Sequence, residues 1–175
     1  MIAARQTIVE QLGEMLAGNA LILGIGNTLR EDDGAGPYFA SLCRQRDGLK
    51  AFDCGEAPET YIGKAMSENP SAILLVDAVD FGGEPGEIRL FDTEAIRTRG
   101  ISTHDMSLKL MAECLERERK TTIALLAFQP RSMRLGFELG DRIKQSARRL
   151  VSDLGLARGP AEDPDGKEEN DIDRG

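Results

Sequence analysis

This chain of 175 residues has one histidine, His104, so any chemistry that needs an imidazole has one candidate. Cysteine is scarce too. Cys43, Cys54 and Cys114 are odd in number and widely spaced, which suits reduced thiols in the core rather than a disulfide framework and points to the cytoplasm. No apolar run reaches membrane length, and Arg5, Glu10 and Glu14 interrupt the N-terminal segment, so neither an export signal nor a span is expected. A basic excess is also missing. The formal charge is −8, the wrong sign for a surface that must displace counterions from nucleic acid or meet anionic lipid.

Half of that charge lies at the C-terminal end. Glu162, Asp163, Asp165, Glu168, Glu169, Asp171 and Asp173 stand there against Arg158, Lys167 and Arg174. With prolines, glycines and almost no apolar residues, 158–175 cannot offset its ordering entropy and is expected to be a disordered acidic tail. The remainder, 1–157, has the length and apolar content of one domain with one core.

Two periods alternate along that domain. Ile8, Leu12 and Leu16 recur at helical spacing, and an apolar strand follows over 21–25. Gly34 to Gly36 reads as a turn feeding a helix with Pro37 in its first turn. A short strand over 50–54, a helix over 58–66 and a strongly apolar strand over 72–76 come next. Glu84-Pro85-Gly86 is a turn signal, after which 87–91 alternates charged and apolar residues like a half-exposed strand. Beyond His104 a helix places Leu108, Met111 and Leu115 on one face; a buried strand over 121–128 and an amphipathic helix over 139–154 complete the pattern. Apolar strands alternating with helices imply an α/β sandwich with helices on both sheet faces, in which ligands gather beyond the carboxyl ends of the strands.

The glycine-rich turn Gly24-Ile25-Gly26-Asn27-Thr28-Leu29 fits no nucleotide site. Leu29 stands where a dinucleotide fingerprint needs a small residue, no Gly-Lys-Ser/Thr follows, and the turn leads to Asp33, which would repel a phosphate. A nucleophile paired with His104 could come from Cys54 or Ser102, but no Gly-x-Ser-x-Gly elbow is present. Asp33 and Asp77 could also act as an acid/base pair without metal, although the Asp-Thr/Ser-Gly signature of aspartic proteases is absent.

The sharper reading is a metal site formed by Asp33, Asp77 and His104. Each has a plain alternative: Asp32 or Asp33 could cap the helix entered through Pro37, Asp77 could close a strand end, and His104 sits where Ser102 or Thr103 could cap another helix. Two carboxylates about 5 Å apart repel by roughly 3 kcal/mol at an effective dielectric near 20, so a close pair favours a cation or a shared proton. Imidazole with carboxylates suits zinc, nickel or iron. Asp32 and Asp80 lie near these residues in sequence and could support the site from behind, but read first as ordinary solvated acids.

At these positions the sequence resembles the hydrogenase maturation endopeptidases. The resemblance lies in GIGNTLREDDGAGP (Gly24 to Pro37), DCGEAPE (Asp53 to Glu59), LLVDAVDFGGEPGEIRLFD (Leu74 to Asp92) and STHDMSL (Ser102 to Leu108), in the family's order and spacing. The branch that processes the large subunit of hydrogenase 3 in formate hydrogenlyase-type systems is the most similar. The resemblance implies a three-layer α/β/α sandwich with a twisted, mostly parallel five-stranded sheet. It also implies a cytoplasmic endopeptidase, by default monomeric, that removes the C-terminal extension of a nickel–iron hydrogenase large-subunit precursor after nickel insertion. Carried over by position, the nickel-contacting and catalytic residues are Asp33, Asp77 and His104, with the nickel carried by the substrate and other divalent metals able to occupy the same set. Cys54 stands where relatives commonly have glycine. The alternative within this resemblance is a non-catalytic module that senses nickel in a hydrogenase partner.

Overall fold

The computed structural model describes residues 7–43, 48–99, 108–110, 112–114 and 121–157. The expected tail, 158–175, and His104 lie outside them.

Helix α1 spans Ile8–Met15 and begins at a reciprocal cap: the Glu10 amide donates to Thr7 Oγ1 at 3.2 Å, and the Thr7 amide donates to Glu10 Oε2 at 2.7 Å. Strand β1 (Ala20–Gly24) follows, then a 3-10 turn at Glu31–Gly34 that runs directly into helix α2 (Ala35–Leu42). Pro37 lies in the first turn of α2, where its missing N–H costs nothing. Strand β2 (Leu49–Asp53) leads through a 3-10 turn at Pro58–Tyr61 to α3 (Ile62–Glu68), which stops at Asn69 in the left-handed conformation, φ 49°. Strand β3 (Ala72–Ala78), strand β4 (Ile88–Asp92), helix α4 (Thr93–Arg99), strand β5 (Thr122–Phe128) and helix α5 (Asp141–Asp153) complete the order. The short α4 has no counterpart in the sequence reading.

The sheet order is β2-β1-β3-β5-β4. The first four strands are parallel, and β4 joins β5 antiparallel at one edge. Position in the sheet explains composition. The inner strands β1 and β3 are buried at every residue, whereas the edge strands β2 and β4 mix buried or half-buried residues with exposed ones.

Side-chain alternation divides the core in two. Ala20, Ile22, Leu74, Val76, Leu126 and Phe128 pack against α1, α2 and α5, with Phe39 and Phe128 tilted together at 5.9 Å between ring centres. On the opposite face Leu21, Leu23, Ile73, Leu75 and Leu125 pack against Ala65 of α3, Ile96 of α4, and Leu108 and Ala112, which belong to helical residues following His104 in sequence. The result is the α/β/α sandwich with a mostly parallel five-stranded sheet that the family resemblance implied. Among the described residues no helix is long and apolar enough to cross a membrane.

Candidate active site

The carboxyl ends of β1 and β3 meet at one sheet edge, and two buried acids are placed there. Asp77 is the penultimate residue of β3, in register with Ala127 of β5 and fully buried. It alternates in phase with Ile73 and Leu75, on the face that also receives Leu108 and Ala112. Its Oδ1 accepts the Ala78 amide at 2.8 Å. Asp33 comes from the 3-10 turn after β1, which packs against β3, and is 4% exposed.

The glycine-rich turn holds this second acid in place. The Asn27 amide donates to Asp33 Oδ2 at 3.0 Å, and Asn27 Oδ1 accepts the Leu29 amide at 2.8 Å, so one side chain closes the turn while its backbone grips the carboxylate. Gly26 has φ +136°, and a Cβ there would lie 1.8 Å from the Asp33 carbonyl oxygen. Only glycine lets the chain pass so close. The motif that resembles a phosphate loop is therefore a bracket around an acid.

The capping alternative for Asp33 fails, because α2 has Gly34 as its N-cap residue and no side-chain cap. Two acids remain buried at the sheet edge, where ionised oxygens need compensation by hydrogen bonds, a shared proton or a cation. Among the described residues no group of three His, Cys, Asp or Glu side chains is arranged to hold a metal. The third residue of the expected set, His104, lies outside the described residues.

Asp32 is not the solvated acid that its sequence context suggested. It is 3% exposed, and its carboxylate accepts the amides of Arg131 at 2.7 Å, Ser132 at 3.4 Å and Gly140 at 2.8 Å. Its own amide donates to the Ser132 carbonyl at 3.1 Å. Here a charge-assisted cluster of backbone donors compensates burial, and the acid ties the Asp33 turn to the segment after β5. Asp32→Ala is expected to cost about 3 kcal/mol or more, because the amides of Arg131, Ser132 and Gly140 lose their acceptor at once. Urea denaturation measures it, and a loss below about 1 kcal/mol would refute the role.

Asp80 is exposed as expected, but it is engaged. Gln129 Nε2 donates to its Oδ1 at 3.0 Å and the Gly82 amide at 3.1 Å, and these bonds hold its carboxyl below the usual range, the Gln129 bond foremost. Gln129 is buried, and its Oε1 accepts the amides of Phe81 and Gly83. One glutamine thus organises the whole loop after Asp77. Sequence reading passed over both Asn27 and Gln129; for Asn27 the Asx-turn pattern was available, whereas Gln129 is separated from its loop by 48 residues.

Cys54 is poorly suited to act as a nucleophile. Burial, aided by the charge of Asp53 and only partly offset by Lys64, pushes its thiol up to about 12, so it carries almost no thiolate near neutral pH.

Comparison with known proteins converges on this architecture. A family model described as hydrogenase maturation protease matches residues 39–154. The hydrogenase 3 maturation protease of Escherichia coli K12 is 31% identical over 137 residues, covering 77% of this chain and 87% of that protein. The crystal structure of the NiFe hydrogenase maturation protease HycI from Thermococcus kodakarensis KOD1 superposes with a TM-score of 0.71 at 35% identity, covering 81% of this chain and 94% of the other. Matches of this extent in both sequence and fold lead to one conclusion: the chain belongs to the hydrogenase maturation protease family, and its activity is that of a hydrogenase maturation endopeptidase.

Proposed function

We propose that this chain removes the C-terminal extension of a nickel–iron hydrogenase large-subunit precursor, with nickel already seated in the precursor as the recognition element. Family membership supplies the class of reaction. The observation that carries the finer reading is the pair of buried carboxylates, Asp33 and Asp77, at the sheet edge where the resemblance puts the metal-contacting residues. Buried carboxylates at a strand end favour compensation by a cation, a shared proton or hydrogen bonds.

His104 supplies the third contact in this reading. Two carboxylates and one imidazole capture an incoming ion but make a weaker owner than the three firmly supported ligands of a resident hydrolytic metal. That suits a metal arriving as part of the substrate. With the ion seated, the scissile carbonyl is held beside the site. Water attacks it, one aspartate takes the proton, the C–N bond breaks, and the proton passes to the leaving amine. The reaction takes place in the cytoplasm, on a partner larger than the enzyme.

The test uses mass spectrometry of nickel-loaded and nickel-free large-subunit precursor after incubation with the purified chain. Loss of a C-terminal peptide from the loaded form alone is expected. Equal cleavage of both forms would overturn the nickel checkpoint. Binding to the loaded form without cleavage would replace the protease by the sensing module.

A further inference from the structure

The segment after β5 carries an apolar strip that the reaction as described does not use. Leu135 and Phe137 are 88% and 84% exposed, and Leu29, against the same segment, is 50% exposed. Large apolar side chains presented this openly on neighbouring segments mark a contact surface.

Backbone pairing shows how the strip is presented. The Gly136 amide donates to the Leu29 carbonyl at 2.9 Å, and the Glu31 amide donates to the Gly136 carbonyl at 2.9 Å, a parallel bridge centred on Arg30 and Gly136. In such a pairing Gly136 uses both its main-chain groups on the turn that leads to Asp33. A side chain at position 136 would press on Glu31, since a Cβ there would lie 3.0 Å from Glu31 Cγ. Glu31 itself is held at φ 47°, in the left-handed region. Gly136 is thus an isolated bridge, flanked by bends at Leu135 and Phe137, that pins the apolar strip to the acid turn.

Charge narrows what pairs with it. Arg30, Arg131 and Arg134 are exposed along this segment, Arg30 Nε donating to the Met133 carbonyl at 3.3 Å. Asp32 is buried and committed to backbone amides, which leaves exposed Glu138 and half-buried Glu31 as the opposing acids. A cleft of about 370 Å³ opens here between Arg131, Ser132, Arg134 and Glu138. On a chain of net charge −8 this strip is locally basic.

We propose that the exposed strip at Leu135 and Phe137 docks an acidic segment of the hydrogenase precursor. Leu135 and Phe137 cover apolar side chains of the segment, and Arg131 and Arg134 meet its acids. Through Gly136 the strip is tied to the turn carrying Asp33, so docking sets the distance from segment to site. This inference rests on the endopeptidase reading above.

The experiment measures affinity of the full chain for nickel-loaded precursor by biolayer interferometry, for the wild type, Leu135→Ser/Phe137→Ser and Arg131→Glu/Arg134→Glu. Because these four side chains are half or more exposed or at the surface edge, circular dichroism should be unchanged. Each double variant is expected to bind about tenfold more weakly or worse, and hydrogen exchange should show precursor-dependent protection at Leu135 and Phe137. Wild-type affinity in both variants, with the wild type still cleaving, overturns the docking strip and leaves the endopeptidase standing; a wild type that neither binds nor cleaves overturns both. Two further outcomes also overturn it. One is a dimer that dissociates in Leu135→Ser/Phe137→Ser, which would assign the strip to a second copy. The other is protection without precursor that disappears when 158–175 is removed, which would assign it to the chain's own acidic end.

Discussion

Asp33→Asn protein is expected to fold like the wild type and to process a nickel-loaded precursor at least about 100-fold more slowly. The two halves of that expectation have separate structural causes. Asparagine keeps a carbonyl oxygen where Asp33 Oδ2 accepts the Asn27 amide, so the bracket formed by Gly26 and Asn27 can still close. What it removes is the charge, and a neutral amide is a poor contact for a divalent ion beside buried Asp77. Processing rate and melting temperature measured on one preparation separate the two effects. Cleavage at the wild-type rate would remove Asp33 from the site. A lost melting transition would instead reclassify it as a structural acid like Asp32. His104→Ala is expected to give the same rate loss.

Gly36→Ala is expected to destabilise the chain by roughly 3 kcal/mol or more and to abolish processing with it. Helix α2 crosses the ends of β1 and β3 at Gly36, where a Cβ would lie 2.3 Å from both the Ile25 and Val76 carbonyl oxygens. Gly24 contributes the other half of the approach, since a Cβ there would lie 2.2 Å from the Gly36 carbonyl oxygen. Two backbones touch with no side chain between them. The obstacles are main-chain atoms of the inner strands, so relief requires moving α2, and the Glu31–Gly34 turn leads straight into that helix. The matched control is Gly13→Ala on the exposed face of α1, where nothing lies within 4 Å of the added methyl. There the same substitution should stabilise by about 1 kcal/mol through helix propensity. Denaturant unfolding of the two variants should move in opposite directions; a mild effect at Gly36 would show that α2 can shift freely.

How much of this was readable in advance depended on range. Strands such as Leu21 to Ile25 and Ala72 to Val76 show themselves as apolar runs, because an inner parallel strand is covered on both faces, and the structure moves their ends by two residues at most. Pro37 fixed the entry to α2. Asp33 and Asp77 stood out as acids at strand ends, and both are buried there. Helix α4 escaped notice because Thr93 to Arg99 presents only Ile96 as a buried apolar residue, too few for a period to emerge. Asp32 was misjudged for a different reason. Its acceptor role is defined by amides 99 to 108 residues further along, and no local pattern encodes them. The exposed strip at Leu135 and Phe137 was also missed, since apolar residues near a helix start ordinarily signify core.

The clasp between Asp32 and the amides of Arg131, Ser132 and Gly140 also sets an order of events during synthesis. Strand β1 and the acid turn emerge from the ribosome early, yet their fastening partners follow roughly a hundred residues later, a delay of several seconds at ordinary elongation rates. Closing so long a loop is entropically costly until β3 and β5 have paired and brought the two segments close. A nascent chain that ends before Pro130 therefore has both acids but not the clasp that fixes one of their turns. The acid turn is therefore fastened only as β5 and α5 take their places.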